Sequence, residues 1–218
     1  MCHIFLHGCV GSVGMMQHNV LEVPKQTVYG LIQRNHYMHR LPPITFAFGL
    51  YDNDELVGVC TFGCPPSKDL CIGVCGRDYK NDVLELNRLF LVKNTKNLAS
   101  YFVSRCLSKL PKPKIVVSYA DTSANHHGYI YQATNFIYTG LSAKRKEVAS
   151  EFHGRTVKWD AEKAVERPRK HRYVYFVGNK KQRKLLKENL KYPIEPYPKG
   201  DNENYKVGEI APTQALLI

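Results

Sequence analysis

The 218-residue sequence has no apolar run of about eighteen residues, so it holds no stretch that could cross a membrane as a helix. Met1 to Gln17 lacks the cationic start of a secretory signal, and His3 and His7 interrupt its mildly apolar course. Nothing repeats at a fixed period, and no composition shift divides the chain. The seven cysteines are an odd number without a regular pairing pattern, which argues against a secreted disulfide scaffold and for a reducing cytoplasm. Acidic residues are also scarce: 19 Asp+Glu against 31 Lys+Arg give a net charge of +12. That balance favours a polyanionic partner through counterion release, with nucleic acid first; solubility or loose attraction to a membrane surface are the blander readings.

What is present describes an ordinary globular chain, 44% hydrophobic and 23% charged. Residues 1–19 read as a loosely ordered tail, 20–192 as one domain and 193–218 as an extended, Pro-rich tail. A short strand at Val20 to Val23 precedes a helical stretch from Pro24 that ends at Pro42-Pro43. His36 and His39 share one face of it, as a metal-binding or simply solvated pair. Ile44 to Tyr51 and Leu56 to Phe62 form a hairpin around Asp52-Asn53-Asp54. Gly63 to Asp82 reads as an irregular, loop-like excursion. It and the hairpin before it carry Cys60, Cys64, Cys71 and Cys75; gaps of three, six and three residues differ from the two-residue gaps of zinc ribbons, so zinc is not expected.

Val83 to Val92 is a central strand in which the charged Arg88 needs a partner or an anion. A helix through Leu98, Phe102, Val103 and Leu107 stops at Pro111. The pattern weakens from Ser142, although Val157 and Trp159 suggest a strand, and a further strand covers Tyr173 to Val177. Two basic clusters flank that strand and are candidate phosphate contacts. Arg167, Arg169, Lys170 and Arg172 lead into it; Lys180, Lys181, Arg183, Lys184 and Lys187 follow on an amphipathic helix whose Leu185, Leu186 and Leu190 face the core. The order of elements predicts a single mixed α/β domain.

The organising stretch is Lys114 to Gly140, KIVVSYADTSANHHGYIYQATNFIYTG. A strand through Ile115, Val116, Val117 and Tyr119 stops at Asp121-Thr122-Ser123, leaving Ser118 and Asp121 at its carboxyl end, where open α/β sheets form ligand crevices. Tyr129, Ile130, Ala133, Phe136 and Ile137 recur at helical spacing, which would aim Tyr131 near Asp121 as an acid/base pair. The plainer reading makes Asp121 a cap and Tyr131 a half-buried packing residue.

ELNRLFLV on one strand and GYIYQATNFIYTG after a later one resemble the GNAT acyltransferase superfamily, although Lys93-Asn94-Thr95-Lys96-Asn97 stands where those enzymes carry a glycine-rich turn. RNHYMHRLP, LVGVCTFGCPPS, VCG, ELNRLF, SYADTSANHHGYIYQATNFIYTG, KHRYVYF and PYPKG together resemble the phage Mom DNA-modification family. That resemblance implies a GNAT-like mixed sheet and transfer of a carbamoylmethyl (glycinamide-type) group to N6 of adenine in double-stranded DNA, protecting a phage genome from restriction in the host cytoplasm. It implies an active site of His36, Tyr37, Arg88, Ser118, Tyr119, Asp121 and Tyr131, with iron at His36 and Tyr37. Acetyl-CoA, another acyl carrier and an aminoacyl-tRNA all remain possible donors. An N-acetyltransferase for a protein or small amine, or a non-catalytic DNA-binding protein, are the competing readings.

Overall fold

The computed structural model describes residues 18–35, 42–93, 95–148, 162, 164–200 and 213–215. Its elements are β1 (His18–Glu22), α1 (Lys25–Asn35), β2 (Phe46–Asp52), β3 (Glu55–Gly63), α2 (Lys68–Cys75), β4 (Val83–Leu91), α3 (Leu98–Lys109), β5 (Lys114–Asp121), α4 (Tyr129–Ala133), β6 (Ile137–Leu141), β7 (Arg145–Val148), β8 (Ala164–Arg167), β9 (Lys170–Val177), α5 (Lys180–Glu188) and β10 (Thr213–Ala215). The main sheet runs β1-β2-β3-β4-β5-β9-β6, with β10 on β4, while β7 and β8 form a separate two-stranded ribbon. Among the described strands only β4 and β5 pair in parallel, because α3 carries the chain between them; the other pairs are antiparallel. This is the expected mixed α/β architecture.

Strand alternation divides the core. On one face Val116 and Ala120 of β5 join Leu84, Leu86 and Leu89 of β4 beneath α3, whose Phe102, Val103 and Cys106 recur at helical spacing and are fully buried. Ile115 and Val117 point the other way, onto Cys71, Val74 and Cys75 of α2 and Leu186 of α5. Val28 of α1 packs on that same second face, against Ala47, Val59 and Phe90 at the other side of the sheet.

Several local expectations change. The excursion after Gly63 is helical rather than irregular. Ser67 caps α2 by accepting from the Leu70 amide at 3.2 Å, and Asp69 favours its first turn. A 3-10 turn over Arg77–Asp82 follows. The flanking prolines and glycines hid a buried stripe at Cys71, Val74 and Cys75. α4 is only five residues long, because Asn135 turns left-handed at φ 60° and Ile137 already opens β6. On α5 a reciprocal Asn179–Gln182 capping box sets the phase so that Leu186 is buried and Leu185 is 50% exposed, against the core position expected for Leu185.

Residues 142–167, where the pattern weakens, yield β7 and β8; Val157 and Trp159 lie outside the described residues, as does the helical extension beyond Asn35. Beyond Tyr192 the chain is tied to β6 and the turn before it: the Glu195 amide donates to the Tyr138 carbonyl and the Tyr197 hydroxyl to the Phe136 carbonyl.

Candidate active site

The site forms where the sheet opens. β4 and β5 share register only from Val83, Leu84 and Glu85 to Ile115, Val116 and Val117, yet β4 runs on to Leu91 and β5 to Asp121. Beyond Glu85 the two strands part, and the Ser118 hydroxyl donates to the Leu86 carbonyl across the seam at 3.3 Å. Further along, β10 pairs with Leu89, Phe90 and Leu91, on the edge of β4 that β5 has left. A seam of this kind exposes backbone polar groups and space to a ligand.

The expected pairing of Asp121 with Tyr131 is not found, because three residues along a strand reverse the face. Ser118 belongs to the α3 and α4 face, where the buried Tyr131 lies near it and the Tyr131 ring packs on Phe136 and Tyr173 at 5.3 and 5.2 Å. Burial raises the Tyr131 pKa, so it is held as the neutral phenol. Tyr119 and Asp121 project to the opposite face, against β9. There a crevice of about 420 Å³ is lined by Tyr119, Glu85, Lys170, Arg172, Arg145 and Arg167, among others.

Glu85 is the group that the sequence reading passed over. It stands three residues before Arg88, a spacing that in a regular strand would put the two side chains on opposite faces. The register against β3 shifts, Thr61 facing Arg88 while Phe62 faces Leu86, and Asn87 is the extra residue. Leu86 and Leu89 therefore reach the same hydrophobic core. By the same shift Arg88 comes within electrostatic reach of Glu85. Asn87 is itself held, accepting from the Thr61 hydroxyl at 2.6 Å and donating to the Pro43 carbonyl at 2.8 Å, while Arg88 donates to the Asn87 carbonyl at 2.6 Å.

Two ionisable groups of the crevice wall, Glu85 and Lys170, interact with each other, and Lys170 in turn with Asp121 behind it. Burial raises the Glu85 pKa, opposed in part by the charges of Lys170 and Arg88. Lys170, only 9% exposed along its side chain, is pushed down to about 8 by burial and by Arg167, against the pull of Asp121. At Asp121 burial acts upward, but the Ser123 hydroxyl and amide, at 2.7 and 2.9 Å, and the Lys170 charge outweigh it, and its pKa is lowered. Lys170 Nζ stands 3.6 Å from Asp121, longer than a hydrogen bond, and has no hydrogen-bond partner among the described residues. Burial also raises the Tyr119 pKa, reinforced by Glu85. Groups with opposed shifts in one crevice are candidates for acid/base chemistry.

The remaining candidates are dispersed. Arg172 donates to the Thr139 hydroxyl and carbonyl at 2.9 Å each, and its guanidinium lies 3.4 Å from the Tyr192 ring centre. Arg169 donates to the carbonyls of Ser142 and Leu141. Arg167 lies on the ribbon at the crevice mouth. Lys180, Lys181, Arg183, Lys184 and Lys187 occupy α5, whose first residue follows the far end of β9, about 25 Å along the strand from Lys170, and which packs back over the sheet through Leu186. Cys60 packs with Cys106 on one face, Cys71 and Cys75 on the other. Among the described residues no three His, Cys, Asp or Glu side chains form a metal-binding group. His36 and Tyr37, the expected iron ligands, lie outside the described residues.

A family model described as the Mom protein family matches residues 17–199. The chain belongs to the Mom family. It is 26% identical to the methylcarbamoylase Mom of Escherichia phage Mu over 220 residues, covering 91% of this chain and 90% of that one. Among solved structures, it is similar to the putative acetyltransferase yncA of Salmonella typhimurium, which holds acetyl-CoA, at 12% identity and a TM-score of 0.46 over 74% of this chain and 95% of that one. An aminoglycoside N(6')acetyltransferase from Legionella pneumophila gives 15% identity and a TM-score of 0.44 over 81% and 98%.

In this Mom family protein the depressed Lys170 leaves a thermodynamic signature. Between about 8 and the ordinary lysine value of 10.5 the unfolded chain binds more protons than the folded one, so this group adds stability as pH rises through that window. The melting temperature of the wild type, relative to Lys170→Met, therefore climbs from about pH 7.5 to 10. A difference that stays flat would mean that Lys170 titrates like a surface lysine.

Proposed function

We propose that this Mom family protein transfers a carbamoylmethyl group to N6 of adenine in DNA, a modification that would shield the DNA from restriction. The observation that carries the reading is its similarity to a methylcarbamoylase across nine-tenths of both chains. The crevice supplies chemistry suited to it. The N6 amino group of a stacked, paired base is a poor nucleophile, and its lone pair is delocalised into the ring. Extracting the base costs a few kcal/mol, and stacking on Tyr119 at the crevice wall returns about 1–3 kcal/mol.

As the bond from N6 to the donor carbon forms and the donor's bond to its carrier breaks, the amino proton passes to the Glu85 carboxylate. Glu85 suits this better than Asp121: burial raises its pKa, whereas Asp121 is lowered and holds Ser123 through one of its oxygens. Asp121 positions Lys170. Lys170 and Arg88 together stabilise an anionic donor group or a developing oxyanion. Tyr131, enclosed with Ser118 on the opposite face of the sheet, takes no part in this step; Lys170, lowered to about 8, supplies the proton to the leaving group. The product joins N6 to a methylene carbon, so the donor carries its leaving group on that carbon. Acyl transfer from a coenzyme A thioester, another acyl carrier or an aminoacyl-tRNA would give the isomeric glycyl amide instead, and the fragmentation spectrum of the nucleoside tells the two apart.

Expression of the chain in bacteria, digestion of cellular DNA to nucleosides and mass spectrometry test the reading. A deoxyadenosine heavier by one carbamoylmethyl group is the expected result. Unmodified deoxyadenosine in cells that make folded protein, and also in lysate supplied with acyl carriers and charged tRNA, would overturn it.

A further inference from the structure

The ribbon of β7 and β8 grows out of the crevice end of the sheet. β6 and β9 are antiparallel neighbours, and at their ends the Ser142 amide donates to the Lys170 carbonyl at 2.7 Å while the Lys170 amide donates to the Ser142 hydroxyl at 2.9 Å. Arg169 staples the junction through its Nε bond of 2.7 Å to the Ser142 carbonyl. Both strands then continue as the ribbon, beyond the carboxyl end of β5.

Its register makes Arg145 face Arg167 and Lys146 face Glu166. Directly opposed residues of an antiparallel pair share a face, their Cβ atoms about 5 Å apart, and like charges so placed are unfavourable. Both arginines are exposed, and both line the crevice that holds the buried Lys170. They also line an adjoining hollow of about 410 Å³, whose walls carry Lys144, Lys146 and Arg169 as further cations against the single acid Glu166. A phosphate bound between Arg145 and Arg167 would take charge-assisted hydrogen bonds from both. Lys170 Nζ, buried in the same crevice and 3.6 Å from its ion-pair partner Asp121, adds a further cation to that wall.

We propose that the β7–β8 ribbon is the element that docks double-stranded DNA, with Arg145 and Arg167 gripping a backbone phosphate at the crevice mouth. A two-stranded ribbon has the width to enter the major groove, which is where adenine displays N6. The choice of DNA rests on the proposed function, whereas the phosphate site itself rests on the register and the crevice alone. The basic helix α5, which lies outside the crevice lining, is then a flanking contact that does not set the position of the reacting base.

The test uses the full chain, a short duplex oligonucleotide and fluorescence anisotropy across a range of salt. Arg145→Gln/Arg167→Gln weakens binding roughly tenfold near 0.1 M salt and reduces the slope of log affinity against log salt by about 0.9 for each phosphate released. Its melting temperature stays within about 2 °C of the wild type, because both side chains are exposed. Lys180→Gln/Lys181→Gln/Lys184→Gln leaves the crevice-mouth contact in place, so the ribbon substitutions have the same effect in that background.

A slope untouched by the ribbon substitutions overturns the proposal. Loss of affinity for inorganic pyrophosphate with an unchanged DNA slope overturns it too, and assigns the arginines to a phosphorylated donor instead. The two readings fail separately. Ribbon-dependent binding by a protein that leaves adenine unmodified keeps the docking element and removes the proposed reaction, while modification with an unchanged slope does the reverse.

Discussion

Glu85→Gln lowers adenine modification by about 100- to 10,000-fold, the range that a positioned general base contributes. The substitution keeps the shape of the side chain and removes its charge. Since burial makes the Glu85 carboxylate unfavourable in the folded protein, the variant is at least as stable as the wild type at neutral pH, and a loss of activity cannot be put down to unfolding. DNA affinity stays within about twofold, because the phosphate contacts of the ribbon are untouched.

The sign of the pH dependence follows from the same shift. Folded Glu85 holds its proton above the ordinary glutamate value, so the acid limb of the wild-type rate lies at a higher pH than an exposed glutamate would give, and the rate rises as the carboxylate ionises. Asp121→Asn behaves differently. It withdraws the counter-charge of Lys170, which lets the Lys170 pKa fall further, and it reduces the rate by loosening Lys170 rather than by removing the base. Nucleoside mass spectrometry on the two variants decides between the carboxylates. Full activity in Glu85→Gln with none in Asp121→Asn would make Asp121 the base and refute the assignment.

The second large effect is on stability. A Cβ added to Gly63 would overlap the Pro43 carbonyl oxygen and come 2.8 Å from the Asn87 side-chain nitrogen. Both contacts are with groups that have no slack, since the Pro43 carbonyl accepts from Asn87 Nδ2 and Asn87 Oδ1 accepts from the Thr61 hydroxyl. Gly63→Ala must either push the chain at Pro43 outward or break the Asn87 bond, at a cost of about 2–4 kcal/mol from overpacking and a lost buried hydrogen bond. For a domain of this size that is roughly an 8 °C fall in melting temperature. Because Asn87 is the residue that re-phases β4, the variant also loses catalysis beyond its loss of folded protein. Melting within about 1 °C of the wild type would show that Pro43 yields freely.

Much of the fold was legible from local pattern. Alternation and turn residues located β2 and β3 around Asp52-Asn53-Asp54, helical spacing located α3, and β-branched residues ending at Asp121 located β5. Asn53 and Asp54 both turn left-handed, at φ 47° and 65°, as a tight hairpin requires. α2 stayed hidden because its stripe is built of cysteine and valine between prolines and glycines, residues that read as loop. α4 was drawn too long because Phe136 and Ile137 fall at helical spacing by coincidence, and the left-handed Asn135 that separates them from the helix has no strong sequence signal.

The mixed α/β class, the strand that ends at Asp121, the basic surplus and the family to which the chain belongs could all be read along the chain. These depend on composition and on contacts between residues close in sequence, which a linear reading can follow. Which charged groups meet depends instead on the assembled sheet. Asp121 finds Lys170 rather than Tyr131 because β9 returns beside β5, and because strand alternation sends Asp121 and Ser118 to opposite faces. Glu85 and Arg88 share a face because one extra residue, Asn87, is absorbed against β3. A register shift is a property of two strands held together and leaves no mark on either strand alone, so the composition of the crevice could not be read before the strands were paired.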